Sequence, residues 1–260
     1  MTAEGSATLV ATMQDRPVIG TFLKLPRAEV VEVLGLAGFD FVICDMEHGQ
    51  VTESDARTVV RACVACGLQG IVRVPEPSPG VVNRLLEAGA AGISMPRLRT
   101  ASEARDLRSM MRFPPDGLRS IGKDNALAGY GTLPLTEYMH RADERAAVIA
   151  QFESRETDDL EAAMRSLDIA FLGMIDLTID CGVPGDIKHP DVRARVNEVE
   201  EAARHAGVAL GAVAGSTDTA RRLIADGYRF IALGSDVGFL VSAVTPLLAE
   251  IQSPDHQSTS

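Results

Sequence analysis

Long apolar runs are missing from this chain of 260 residues. No stretch stays apolar for the roughly 20 residues a membrane helix needs, and the opening MTAEGSATLVATMQDRP has no basic segment ahead of an apolar one. A soluble cytoplasmic protein is expected. Positive charge is scarce as well, with 25 Lys and Arg against 36 Asp and Glu and a formal charge of −11. That argues against nucleic acid or an acidic membrane surface as partner, since either selects a basic face. The only cysteines are Cys44, Cys63, Cys66 and Cys181. Cys63 and Cys66 form a C-x-x-C, yet no second pair or nearby histidine completes a zinc set, and they read as small apolar residues on a helix. Neither G-x-G-x-x-G nor G-x-x-x-x-G-K-[ST] occurs, which removes the usual anchors of a nucleotide.

The chain does contain a repeat. Its 46% apolar content is enough for one large core, and β-rich apolar runs recur at 18–23, 39–45, 70–74, 91–96, 147–153, 169–176, 208–215 and 229–236. Between them lie segments such as TESDARTVVRACVACG and TASEARDLRSMMRF. Each opens on Pro, Ser, Thr or a nearby acid, carries apolar residues at helical spacing, and in several cases closes on Gly. Strands without polar alternation, separated by helices, imply a parallel sheet covered on both faces. Eight such units imply a single-domain (β/α)8 TIM barrel spanning 1–252, with a polar, disordered tail at 253–260. The Gly- and Pro-rich segment Pro114 to Met139 is too long for an ordinary connection and is expected to be a functional loop over one end of the barrel.

Active sites of such barrels lie at the C-terminal ends of the strands. Those ends carry Lys24, then Asp45, Glu47 and His48, then Arg73 and Arg97, then Gln151 and Glu153, then Asp176, and finally Ser235 and Asp236. Glu153 and Asp176 close adjacent runs, where two carboxylates repel unless a cation bridges them; spacing alone fits equally a divalent ion with oxygen ligands, which would answer that cost, and a pair of solvated loop acids. Arg73 interrupts the apolar run GIVRV, and a buried guanidinium needs an anion. His48 is the residue type suited to proton transfer near neutrality. Lys24 reads as a surface or loop-anchoring residue.

The runs GTFLKLP, FDFVICDMEHG, VRVPEPSPGVVNRLLEAGAAGISMPRLRTASEA, GLRSIG, QFES, IAFLGMIDLT and FIALGSDVGFL, in this order from about Gly20 to Leu248, resemble the metal-dependent class II pyruvate aldolases of the 4-hydroxy-2-oxoheptanedioate and 2-dehydro-3-deoxyglucarate aldolase type. The resemblance implies reversible aldol cleavage of a 4-hydroxy-2-oxo acid to pyruvate and an aldehyde through an enolate stabilised by Mg²⁺, Mn²⁺ or Co²⁺. It implies Glu153 and Asp176 as metal carboxylates with Gln151 close by, and Arg73 as the contact to the keto or enolate oxygen. His48 is the implied catalytic imidazole, with Glu87 as its partner carboxylate. Gly173 and the amides near Asp176 are implied as the cradle of the pyruvate carboxylate, with Asp45 and Glu47 as supporting groups. The loop carrying Arg119 and Ser120 would help build the aldehyde pocket. A homo-oligomer is implied too, a hexamer whose C-terminal helix packs on a neighbouring subunit. The chain departs from the family pattern at Met174, where proline is usual, at Ser120, where glycine is usual, at Glu87, commonly Asp, and in having no tryptophan. These departures keep open a second metal-enolate reaction, a citrate-synthase-like condensation or a decarboxylation.

Overall fold

The computed structural model describes residues 7–252, and the expected tail 253–260 lies outside the described residues. Eight parallel strands close into one barrel, each paired with the next and the last with the first: β1 (Val18–Leu23), β2 (Phe41–Asp45), β3 (Gln69–Arg73), β4 (Gly92–Met95), β5 (Ala147–Phe152), β6 (Ile169–Leu172), β7 (Ala209–Ala214) and β8 (Phe230–Ser235). Helix α1 (Leu9–Asp15) precedes β1. The helices α2 (Ala28–Leu36), α3 (Glu53–Cys66), α4 (Pro79–Ala88) and α5 (Ala101–Met111) follow the first four strands. Then come α6 (Leu135–Arg145) before β5, α7 (Leu160–Met164) after it, α8 (Met174–Asp180) and α9 (Pro190–Ala206) after β6, α10 (Thr217–Ala225) after β7, and α11 (Asp236–Gln252) after β8.

The helix boundaries follow from the side chains at their ends. Thr52 with Asp55, and Thr100 with Glu103, form reciprocal capping boxes that satisfy the first free amides of α3 and α5. Gly67 and Gly207 end α3 and α9 at φ of 76° and 69°, a conformation that costs glycine nothing. Cys63 packs inside α3 and Cys66 faces outward; both are free, and burial pushes the Cys63 thiol up to about 12.

Alternation along the strands sorts the residues into two layers. Phe41, Ile43, Ile71, Ile149, Ile169, Phe171 and Phe230 point into the barrel, where the Phe41 and Phe230 rings stack 4.0 Å apart. Their neighbours Val42, Val72, Val148, Ala170 and Ile231 pack outward against the helices. Helix α1 adds Leu9 and Met13 to the inner cluster near the strand starts; at seven residues it is too short to show a helical period in sequence. The inward columns turn polar as they reach the strands' C-terminal ends: Phe22 is followed by Lys24, Ile43 by Asp45, Ile71 by Arg73, and Ile149 by Gln151 and Glu153.

Two expectations are corrected. The run 169–176 is strand only to Leu172, because Gly173 caps α8 and puts Asp176 in its first turn. The segment Pro114 to Met139 does not cover the mouth. It leads from α5 to β5, its last residues belong to α6, and it packs Phe113, Ala128 and Tyr138 into a cluster of their own. Helix α11 meets the barrel at β1 and β8 and leaves Leu240, Val241, Val244, Leu247 and Ile251 exposed.

Candidate active site

Adjacent strands place Asp45 and Arg73 in register. The guanidinium donates from Nε to Oδ1 at 2.8 Å and from Nη2 to Oδ2 at 2.7 Å, a two-pronged pair within the barrel. The Asp45 carboxylate is fully buried and also accepts from the amides of Glu47 (3.1 Å) and His48 (3.2 Å) and from Lys24 Nζ. Burial alone would raise this carboxyl; the hydrogen bonds from Arg73 and Lys24 outweigh it and hold it well below the usual range. Asp45 therefore orients Arg73 and the turn bearing His48. Arg73 Nη1, the nitrogen Asp45 leaves free, donates to Gln151 Oε1 at 3.1 Å, and Gln151 Nε2 donates to Ser94 Oγ at 3.2 Å.

Beside Arg73 the site is crowded with negative charge. Glu153 ends the inward column of β5 and is nearly buried. Burial and the charge of Asp176 push its carboxyl up to about 7, against the opposing pull of Arg73. Its Oε2 accepts from the Arg97 amide at 3.1 Å. A Cβ on Gly173 would sit 2.8 Å from Glu153 Cδ, so only glycine lets this carboxylate lie against the end of β6. The Glu47 side chain is also nearly buried, with Oε2 at 3.2 Å from Arg73 Nη1 and Oε1 at 3.1 Å from Arg97 Nη2. Oε2 nonetheless accepts no hydrogen bond of good geometry. His48 stands at the rim with its side chain 56% exposed, Nε2 at 3.7 Å from that oxygen.

A raised carboxyl facing a second carboxylate, a buried carboxylate oxygen without a donor, and hard oxygen donors throughout fit a divalent cation of the Mg²⁺, Mn²⁺ or Co²⁺ kind. No group of three or more His, Cys, Asp or Glu at ligand spacing occurs among the described residues, so the protein would offer a pair of carboxylates and leave other positions to substrate.

The structure thus brings together Asp45, Glu47, His48, Arg73, Gln151, Glu153, Gly173, Met174 and Asp176. It does not bring Glu87, Arg119 or Ser120 to them within one chain. Glu87 is the penultimate residue of α4, which runs back from the mouth, so it lies at the opposite rim, beside Gly122 and Asn83. Arg119 is buried there, donating from Nε to Asn83 Oδ1 at 3.1 Å over the Phe113 ring, and Ser120 Oγ accepts from Asn83 Nδ2 at 3.2 Å. Lys24 is corrected in the other direction. Its amide is held by Asp236, while its side chain enters the mouth and meets Asp45. Its parity with Phe22 was the available signal.

Residues 18–243 match the family described as HpcH/HpaI aldolase/citrate lyase. The chain belongs to that family. It is similar to a hydroxypyruvate/pyruvate aldolase of Paraburkholderia phytofirmans, 34% identical over 91% of this chain and 94% of the relative. It is similar also to a 4-hydroxy-2-oxo-heptane-1,7-dioate aldolase of Salmonella dublin, 32% identical over 94% and 93%. Among solved structures, an HpcH/HpaI aldolase/citrate lyase family protein of Burkholderia cenocepacia superposes with a TM-score of 0.86 at 35% identity, covering 94% of this chain and 99% of that one. The citrate synthase SbnG superposes at 0.84 with 26% identity over 94% and 96%. This HpcH/HpaI chain is accordingly an enzyme, a carbon–carbon lyase on a (β/α)8 barrel, and no helix among its described residues is long and apolar enough to cross a membrane.

Proposed function

We propose that the enzyme cleaves 4-hydroxy-2-oxo acids reversibly to pyruvate and an aldehyde, with Mg²⁺, Mn²⁺ or Co²⁺ held by Glu153 and Asp176. The observation that carries this reading is the placement of a rigidly held arginine, Arg73, beside a carboxylate pair in which burial, with the charge of Asp176, raises Glu153 to about 7. Bound there, a divalent cation supplies positive charge beside the carboxylate and keto oxygens of the 2-oxo acid, which favours an enolate. Asp45 takes Nε and Nη2 of Arg73, leaving Nη1 on the Gln151 side to donate to the keto oxygen as negative charge develops. His48, with Glu47 behind it, takes the proton of the C4 hydroxyl. The C3–C4 electron pair then passes into the enolate, the aldehyde departs, and protonation at C3 gives pyruvate. Gly173 and the amides opening α8, which have no intrahelical acceptor, serve the pyruvate carboxylate. Met174 supplies the first of those amides, and its side chain packs against the core between strands and helices.

Because Glu87 lies at the opposite rim of its own barrel, a partnership with His48 requires a second subunit. The uncovered apolar residues of α11 support such a homo-oligomer, a hexamer in this reading. Arg119 and Ser120 would then line a neighbour's aldehyde pocket. Four unpaired thiols suit a reducing cytoplasm.

The test is pyruvate release from a panel of 4-hydroxy-2-oxo acids by metal-stripped protein, then with each ion restored, alongside Glu153→Ala. Metal-restored cleavage abolished by the substitution is expected. Consumption of oxaloacetate with an acetyl thioester, and no pyruvate from any panel member, would move the assignment to condensation, the activity named for the citrate synthase to which the chain is similar.

A further inference from the structure

The mouth holds a line of five charged side chains that alternate in sign. Lys24 Nζ meets Asp45 Oδ2, Asp45 grips Arg73 at 2.7 and 2.8 Å, Arg73 Nη1 lies 3.2 Å from Glu47 Oε2, and Glu47 Oε1 lies 3.1 Å from Arg97 Nη2. The line runs from the end of β1 to the turn after β4. Three cations against two carboxylates leave one positive charge.

That surplus resides in the end members. Arg73 and Asp45 by themselves are a neutral pair, a poor receptor for an anion, and Arg73 is shared further with Glu47. Both end cations are held by the fold. The Lys24 amide is fixed by two hydrogen bonds to Asp236, at 3.0 and 3.1 Å, and its ammonium crosses the Phe22 ring 5.6 Å from the centroid. Arg97 takes a left-handed backbone, φ 50°, unusual for a residue with a side chain. In that conformation its amide bonds Glu153 while its guanidinium returns to Glu47. The two side chains are 26% and 61% exposed, so neither cation is sealed in the core.

We infer that Lys24 and Arg97 are positioning residues of the substrate site: they fix the two carboxylates flanking Arg73 and leave this line of side chains one positive charge, matched to the single carboxylate of a 2-oxo acid. With a divalent ion offsetting Glu153 and Asp176, the surplus of this line equals the charge of one monoanion, while the nearby Asp236 carboxylate is engaged by the amides of Lys24, Leu25 and Val237. The inference rests on the proposed 2-oxo acid chemistry and adds to it a selection by charge. Loss of either end cation weakens the attraction for pyruvate without removing it.

The test uses the full-length, Mn²⁺-loaded protein and its Lys24→Met, Lys24→Arg, Arg97→Met and Arg97→Lys variants. Pyruvate affinity is read by calorimetry, exchange of the pyruvate methyl protons with deuterated solvent by NMR, and folding by thermal melting. Each Met variant should weaken pyruvate binding by about tenfold, the scale of one unit charge across a partly buried site, and raise KM more than it lowers kcat. The Arg and Lys variants should restore most of the loss, and melting should stay near wild type. Affinity within twofold of wild type in both Met variants overturns the inference and leaves the aldolase reading standing. A wild type that binds pyruvate but exchanges no protons, with binding still lost in the Met variants, overturns the reaction and retains the charge selection. A wild type that neither binds nor exchanges overturns both. Borohydride trapping of pyruvate on Lys24 would replace the electrostatic role with a covalent one.

Discussion

Glu153 makes the metal-free enzyme's stability depend on pH in a direction opposite to that of most carboxylates. In the folded chain its carboxyl stands near 7 because it is buried and faces Asp176; on unfolding it returns toward 4.5. Between those values the folded chain keeps a proton that the unfolded chain has released. Stability is therefore full below 4.5, falls as pH rises, and is lowest above about 7, the gap corresponding to about 3 kcal/mol. Other groups titrate over the same range, so the measurement is the difference between wild type and Glu153→Gln, which keeps the shape and removes the charge. Urea unfolding of chelator-treated protein, followed by circular dichroism at fixed concentration, should show the variant gaining about 3 kcal/mol on wild type between pH 4.5 and 8. Asp176→Asn should move the wild-type decline to lower pH. Adding Mn²⁺ at a hundred times its Kd should stabilise wild type by about 2.7 kcal/mol and the glutamine variant by much less. A difference between wild type and Glu153→Gln that stays flat from pH 4.5 to 8 would refute the view that Glu153 and Asp176 crowd their charges at a cation site.

Gly173→Ala should leave the barrel folded but displace Glu153, whose Cδ would lie 2.8 Å from the new carbon; Mn²⁺ affinity by calorimetry should fall about 10- to 100-fold, and an unchanged affinity would show that the carboxylate can move freely. Asp45→Asn removes the charge that holds Arg73, and should cost about 3 kcal/mol in urea unfolding and about 100-fold or more in pyruvate formation. Because the Asp45 carboxyl is held well below its ordinary 3.8, its stabilising effect is complete above that value and is lost only on the acid side, so the gap between wild type and variant should begin to narrow only as pH falls below 3.8. Mixing inactive His48→Ala and Glu87→Ala subunits should restore part of the cleavage activity if the two residues meet between chains. A monomer by light scattering at micromolar concentration, with no restored activity, would remove the shared-site reading.

The order of strands and helices was legible in the sequence because it depends on local signals: β-rich apolar runs, capping residues such as Thr52 and Thr100, and glycines at helix ends. Their place at the C-terminal ends of the apolar runs also marked Asp45, Arg73, Gln151 and Glu153 as candidates for the mouth, since the active end of such a barrel is fixed by strand direction. What partners those residues meet is not local. Arg73 opposes Asp45 because β2 and β3 pair in that register, and Lys24 reaches the same carboxylate because barrel closure and the clamp of Asp236 bring the start of the chain against its end. Asp176 left the strand because Gly173 starts a helix. Glu87, Arg119 and Ser120 fell outside the mouth because α4 and α5 run antiparallel to the strands, which puts the end of α4 and the connection after α5 at the opposite rim, a consequence of the βα order that motif matching does not weigh. The recurring strand and helix signals determined the barrel and the set of strand-end residues; packing alone decided which charges share a hydrogen bond, because that depends on distances between segments far apart in the chain.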